Sequence, residues 1–197
     1  MAADLPDLSH AALLSMDLQS SIVSIYTKGQ EEFLPRVAAV QNWAHLRGIP
    51  VIHVQVGFRP GVPEVGSRNQ LFSAIKSNPQ WQQIFQGPAG AIHPAVAPQG
   101  DDIVITKHRI SAFTGTDLDM ILRANEIDTL ILMGIATSGV VLATLLDASD
   151  ADYRVLVVKD CCADQDAEVH ACLTGKVFAR LATVVGSAAL FESAVPE

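Results

Sequence analysis

The sequence of 197 residues is poor in cysteine, in positive charge and in long apolar runs, and each shortage closes off a class of protein. Three cysteines are an odd number, and two of them, Cys161 and Cys162, are adjacent, a placement that disulfide geometry rarely tolerates. A disulfide framework is therefore excluded, and a reducing, cytoplasmic setting is expected. Thirteen Lys and Arg stand against 21 Asp and Glu, a net charge of −8, so no general field draws in polyanions. Nucleic acid and anionic membrane surfaces are not expected partners. No apolar stretch reaches the roughly 18 residues of a membrane span. Even residues 130–148 are interrupted by Thr, Ser and Gly, and the N-terminal segment carries acids where a signal peptide needs bases, its apolar run stopping at Asp17.

Two kinds of motif are also missing. Neither G-x-G-x-x-G nor G-x-x-x-x-G-K occurs, so no phosphate-cradling loop is expected. The six histidines, at positions 10, 45, 53, 93, 108 and 170, show no H-E-x-x-H or other paired spacing. Each reads as a surface or satisfied core histidine, and neither a metal nor a cofactor is expected.

What the sequence does have is a core: 49% of its residues are hydrophobic, enough for one globular domain spanning residues 1–197. There is no internal repeat at any fixed period. Short runs of Val, Ile and Leu alternate instead with longer segments of helical periodicity, the pattern of successive βαβ units. Strands are expected at residues 12–17, 50–55, 102–107, 129–134, 154–160 and 182–187. Helices are expected at 31–48, where Phe33, Leu34, Val37, Val40, Trp43 and Leu46 share a face and Gly48 stops the helix, after Thr116, at 138–152, and after an Asp166 cap. The fold class is α/β, three-layer α/β/α, with a Rossmann-like six-stranded parallel sheet and helices on both faces. Residues 56–101 depart from the pattern. Gly and Pro crowd this segment, which offers only a short helical piece near residues 79–85 and follows the C-terminal end of a strand, as a substrate lid would.

In such a sheet the strand ends gather on one edge, so the residues that close each strand are candidates for chemistry. They are Asp17, Gln55, Lys107, Gly134 with the following Thr137-Ser138-Gly139-Val140, and Asp160. Asp17 alone could equally cap a turn, and Lys107 could be a solvated edge residue. Lys107 is followed by His108 and Arg109, however, and the cluster favours an anionic ligand. Gly134 to Val140 brings a strand to a helix N-terminus, where backbone N–H groups suit a carboxylate or an oxyanion, although an ordinary tight turn has the same composition.

Taken in order, MDLQ (16–19), ITKHRISAF (105–113), GIATSGVVLATLLDA (134–148) and VVKDCCAD (157–164) resemble the isochorismatase-like hydrolase superfamily over almost the whole chain. The resemblance implies the fold derived above, a homo-oligomer (dimer or tetramer) and a cis peptide in the G-x-x-T turn, at Ile135–Ala136. It places the Asp and Lys of the family's Asp-Lys-Cys triad on Asp17 and Lys107. The cysteine position falls on Val140, an isopropyl group with no nucleophilic atom, so thiolate chemistry there is impossible. Isochorismatases proper resemble this chain in lacking that cysteine, in the T-K-x-R-x-S-A-F run and in a Gln at the end of strand two, here Gln55. They usually have Gly where Val140 stands. The D-x-H metal pattern of nicotinamidases is replaced by Gln55-Val56-Gly57.

The mechanism this resemblance implies is cofactor-free hydrolysis of a small carboxylated enol ether, isochorismate-like, releasing pyruvate. Asp17 is the general acid and Lys107 its catalytic partner. Gln55 and Arg59, or failing that Arg68, bind the substrate together with Ser138, Gly139 and Val140. Two alternatives remain open at this stage. One is a catalytically silent small-molecule binder or structural member of the family. The other is an amidohydrolase with a relocated thiol at Cys161 or Cys162, Cys172 being expected in the core.

Overall fold

A computed structural model describes residues 5–85 and 87–192. Six strands form one sheet: β1 (Ala11–Met16), β2 (Val51–Val56), β3 (Ile103–Lys107), β4 (Thr129–Ile135), β5 (Arg154–Ala163) and β6 (Thr183–Val185). Their order is β3-β2-β1-β4-β5-β6, and every pairing is parallel. Parallel strands need both faces covered, which is why β1 and β4 are buried throughout and read as continuous apolar runs.

Alternation along each strand divides the core in two. Leu13, Ile131 and Leu156 face one layer, where they pack with Val37, Val40 and Ala44. Leu14, Leu132 and Val157 face the other, against Leu118, Leu122 and Leu145. The first layer holds α1 (Ser20–Tyr26) and α2 (Phe33–Leu46). The connection from β2 to β3 carries α3 (Gln70–Ser77), α4 (Pro79–Ile84) and the single turn α5 (Gly87–Gly90). The remaining helices are α6 (Leu118–Ala124), α7 (Leu142–Asp150), α8 (Ala167–Cys172) and α9 (Ser187–Glu192). No helix among the described residues is long and apolar enough to cross a membrane.

The excursion after β2 is more structured than its Gly and Pro content suggests. Asn69 accepts a hydrogen bond from Phe72 N to cap α3, and Asn78 accepts one from Gln80 N, with Pro79 at the first position of α4. Val62, Val65, Phe72 and Ile75 form a small core of their own, and Phe58 meets the rings of Phe72 and Phe85 edge-on at 5.7 Å each. The helix expected from residue 138 also differs. Residues Thr137–Val141 form a wide, kinked turn with Gly139 at φ −104°, ψ −107°, and regular helix begins only at Leu142.

The strand order reverses direction between β1 and β4, and the C-terminal ends of these two strands therefore flank the crevice where open α/β sheets take ligands. Gly134 permits their close approach. Its φ is +143°, and a Cβ there would stand 2.1 Å from the carbonyl oxygen of Met16.

Candidate active site

Asp17 follows β1 directly, with its N–H donating to Val54 O at 2.7 Å and its backbone in the left-handed region, φ 54°, a conformation Asp tolerates better than most side chains. Lys107 closes β3. Burial alternates along that edge strand, Ile105 and Lys107 facing in while Val104 and Thr106 face out. The lysine is 2% exposed, and its Nζ donates to Asp17 Oδ2 at 2.8 Å and to Arg109 O at 3.1 Å. The other carboxyl oxygen, Asp17 Oδ1, is buried without a hydrogen-bond partner. Burial pushes the Asp17 carboxyl above the usual carboxylate range, and the Lys107 charge opposes this without cancelling it.

The pair forms the inner wall of a cavity of about 470 Å³. The rest of the lining is mainly apolar. Val140 and Ile135 come from the β4 end, Val56 from β2, Phe72 and Ile75 from α3, and Trp81 from α4. Helix α1, for which the sequence reading had no place, contributes Ile22, Ile25 and Tyr26, and its Ser21 Oγ donates to Ile84 O at 2.8 Å, tying it to α4. Gln19, which closes the MDLQ motif, has no role of its own in the sequence pattern either. Its side chain is completely buried. Oε1 accepts from Val56 N at 2.8 Å, and Nε2 donates to Val56 O at 3.0 Å and Gly90 O at 2.6 Å. It fastens the end of β2 and the return of the 56–101 excursion to the loop that carries Asp17. The D-x-Q spacing was the signal for it.

These positions set several of the expected ligand residues outside the cavity lining. Gln55 and Val56 are neighbours on a strand and so face opposite sides of the sheet. Val56 turns to the cavity, whereas Gln55 donates to Thr106 Oγ1 at 3.1 Å, outside the cavity lining. Arg59 is also outside it. Its guanidinium is exposed and pairs with Glu64 Oε1 at 2.6 Å, and Arg68 is exposed too. Ser138 is exposed and not part of the lining, and its N–H donates to Asp164 Oδ2 at 2.7 Å. Gly139 and Val140 do line the cavity, but Gly139 N already donates to Ala136 O at 3.1 Å, so it is not an open oxyanion donor. The peptide Ile135–Ala136 is cis.

The isochorismatase domain family matches residues 11–189. The chain belongs to the isochorismatase family of hydrolases. Maleamate amidohydrolase of Pseudomonas putida is 29% identical to it over 164 residues, 81% of this chain and 75% of that protein. An isochorismatase of Bacillus subtilis is 31% identical over 169 residues, 84% of this chain but 52% of that protein, so the chain spans about half its length. An isochorismatase family protein of Burkholderia thailandensis has a structure that superposes with a TM-score of 0.81 at 29% identity, covering 93% of this chain and 96% of that one.

Within this isochorismatase-family site, Val140 is 2% exposed and occupies the position to which the resemblance assigns the nucleophile. Neither alternative thiol is in the cavity lining. Cys161 and Cys162 are buried in opposite core layers, burial raises both thiols, and that of Cys162 reaches about 12. A thiol held in its protonated form is a poor nucleophile. Cys172 is exposed on α8, not in the core as expected. Among the described residues, no group of three or more His, Cys, Asp or Glu is arranged to hold a metal ion.

Proposed function

We propose that this isochorismatase-family protein hydrolyses a small enol ether without a covalent intermediate, using Asp17 as the general acid. The observation that carries this reading is the Asp17 carboxyl itself. It is buried beside an apolar cavity, raised above its ordinary range, held at one oxygen by Lys107 and unpartnered at the other. Because Oδ2 accepts from Lys107, the proton of the neutral acid sits on Oδ1. That oxygen gives its proton to the methylene carbon, and the alkene's π pair forms the new C–H bond, leaving an oxocarbenium ion. Water adds to the cationic carbon, its excess proton returns to Asp17, and the hemiketal releases an alcohol and a carbonyl product. Lys107 holds the carboxylate while it is transiently anionic.

The isochorismate reading itself draws less support. Beyond Lys107, none of the described residues lining the cavity is a cation that could meet a second carboxylate. The test is turnover of a simple vinyl ether, followed by release of its carbonyl product in H₂O and D₂O, with Asp17→Asn beside the wild type. Turnover with a normal solvent isotope effect, abolished in Asp17→Asn, is the expected result. Binding without turnover by the wild type would overturn it in favour of a silent binder.

A further inference from the structure

We infer that the ligand this cavity takes is electrically neutral and apolar, an alkyl or aryl molecule with no carboxylate. This rests on the cavity being the active site proposed above. Asp17 and Lys107 face each other at 2.8 Å and account for the charged side chains among the described lining residues, and Lys107, the cation of the two, is 2% exposed and already donates to Asp17 Oδ2 and to Arg109 O. The nearby cations that could have met an anionic substrate are committed elsewhere. Arg59 is paired with Glu64, the Arg109 guanidinium donates to His108 O at 2.6 Å and Glu64 O at 2.9 Å, and Lys76 Nζ donates to Val65 O at 2.9 Å. A carboxylate entering the cavity would lose its hydration and meet a single buried ammonium whose hydrogen bonds are already directed to Asp17 and Arg109.

The other polar groups in the lining are Tyr26 and Gln165, both uncharged. The mouth continues the same chemistry. Ile25, Leu71, Trp81 and Ile110 all line the cavity and are each 40% exposed or more, so an entering apolar group meets apolar surface from the rim inward. A volume of about 470 Å³ suits a molecule of one ring with a short substituent. Val140 takes part in this selection, its two methyls occupying space that a glycine would leave to a polar group or water.

Isothermal titration calorimetry with three aromatic probes of similar size, none of which carries a vinyl ether, tests the inference without requiring turnover: ethyl phenyl ether, benzoate and phthalate. Ethyl phenyl ether is expected to bind at least about tenfold more tightly than benzoate, a difference of 1.4 kcal/mol, and phthalate not at all. Leu71→Arg, a change at an exposed rim position, is expected to raise benzoate affinity while leaving the fold intact. Equal or tighter binding of benzoate or phthalate by the wild type would overturn the inference, as would no binding of the ether. Ether binding by a protein that turns over no vinyl ether would leave this inference standing and remove the acid mechanism. Turnover confined to carboxylated enol ethers would do the reverse.

Discussion

Two buried aspartates in this molecule have opposite fates. Asp102, just before β3, has a side chain 5% exposed, and Asp17, just after β1, one 9% exposed. Asp102 Oδ1 pairs with His45 Nε2 at 2.8 Å, and Oδ2 accepts from Gln99 N at 2.9 Å and from His53 Nε2 at 3.1 Å. Burial raises this carboxyl too, but the hydrogen bonds from Gln99, His45 and His53 outweigh it and hold it below the ordinary range. Asp17 has a single partner, and there burial prevails. Similar side-chain exposure therefore goes with a fixed anion in one place and a proton donor in the other. Asp17 is the more deeply buried residue and has fewer donors, and a protein that leaves a buried carboxyl oxygen unsatisfied at a cavity wall keeps a group free to react.

The sharpest way to break the comparison is at Asp17. Asp17→Asn keeps the volume and an acceptor for Lys107 but removes the acid. Turnover should fall by about 10³-fold, near the middle of what a general acid contributes, with the melting temperature little changed. Steady-state kinetics and thermal denaturation on the same sample check this. Asp102→Ala should do the converse. It strips an acceptor from three donors at once, at a cost of about 3 kcal/mol, seen as a drop of roughly 6–12 °C in melting temperature. Catalysis below that temperature should be unaffected. Loss of turnover in the folded Asp102→Ala protein would make the two aspartates one network.

The two carboxyls also give stability opposite dependences on pH. Asp102 is depressed in the fold, so its contribution is present above the unfolded value of about 3.9 and is lost as pH falls through its folded value. Asp17 is raised, so its contribution is complete below about 3.9 and is lost as pH rises through its folded value. Lys107→Met sharpens the second case. Without the lysine's opposing charge the Asp17 carboxyl rises further, so the alkaline limb of the rate profile should move to higher pH. The variant's stability deficit against wild type should widen as pH rises through that limb. An alkaline limb that stays where it is would show that another group governs it.

How much of this could be read from the sequence depended on whether neighbours in the chain or neighbours in space decided the matter. The six strands follow from Val, Ile and Leu runs, and the expected starts and ends lie within a few residues of those found, because a sheet covered on both faces imprints itself directly on composition. Asp17 and Lys107 stood out because they close such runs. Helix α3, in the excursion after β2, was missed. Its flanking Gly and Pro residues read as loop, while the Asn69 cap and the packing of Phe72 and Ile75 against Val62 and Val65, which stabilise it, involve contacts that periodicity does not reveal. The apolar character of the cavity was missed for a related reason. Its walls come from α1, α3, α4 and four strand ends, segments brought together only by the fold. Arg59 and Arg109 looked like ligand-binding cations in the chain because nothing in the sequence pairs them with Glu64.

Gln55 offers the smallest effect and the cleanest check of register. The sequence marks it as a strand-end amide poised over the substrate, yet β2 continues one residue further, and that single step transfers the cavity-facing role to Val56. The Gln55 amide is left on the far side of the sheet, making one part-exposed hydrogen bond to Thr106. Gln55→Ala should therefore change kcat/KM by less than about twofold and stability by no more than about 0.5 kcal/mol, the range of an ordinary surface substitution. A loss of tenfold or more in kcat/KM at unchanged stability would mean that the amide does reach the substrate. The strand end would then have to turn over on binding, carrying Val56 away from the cavity and Gln19 out of its hydrogen bonds to the Val56 backbone.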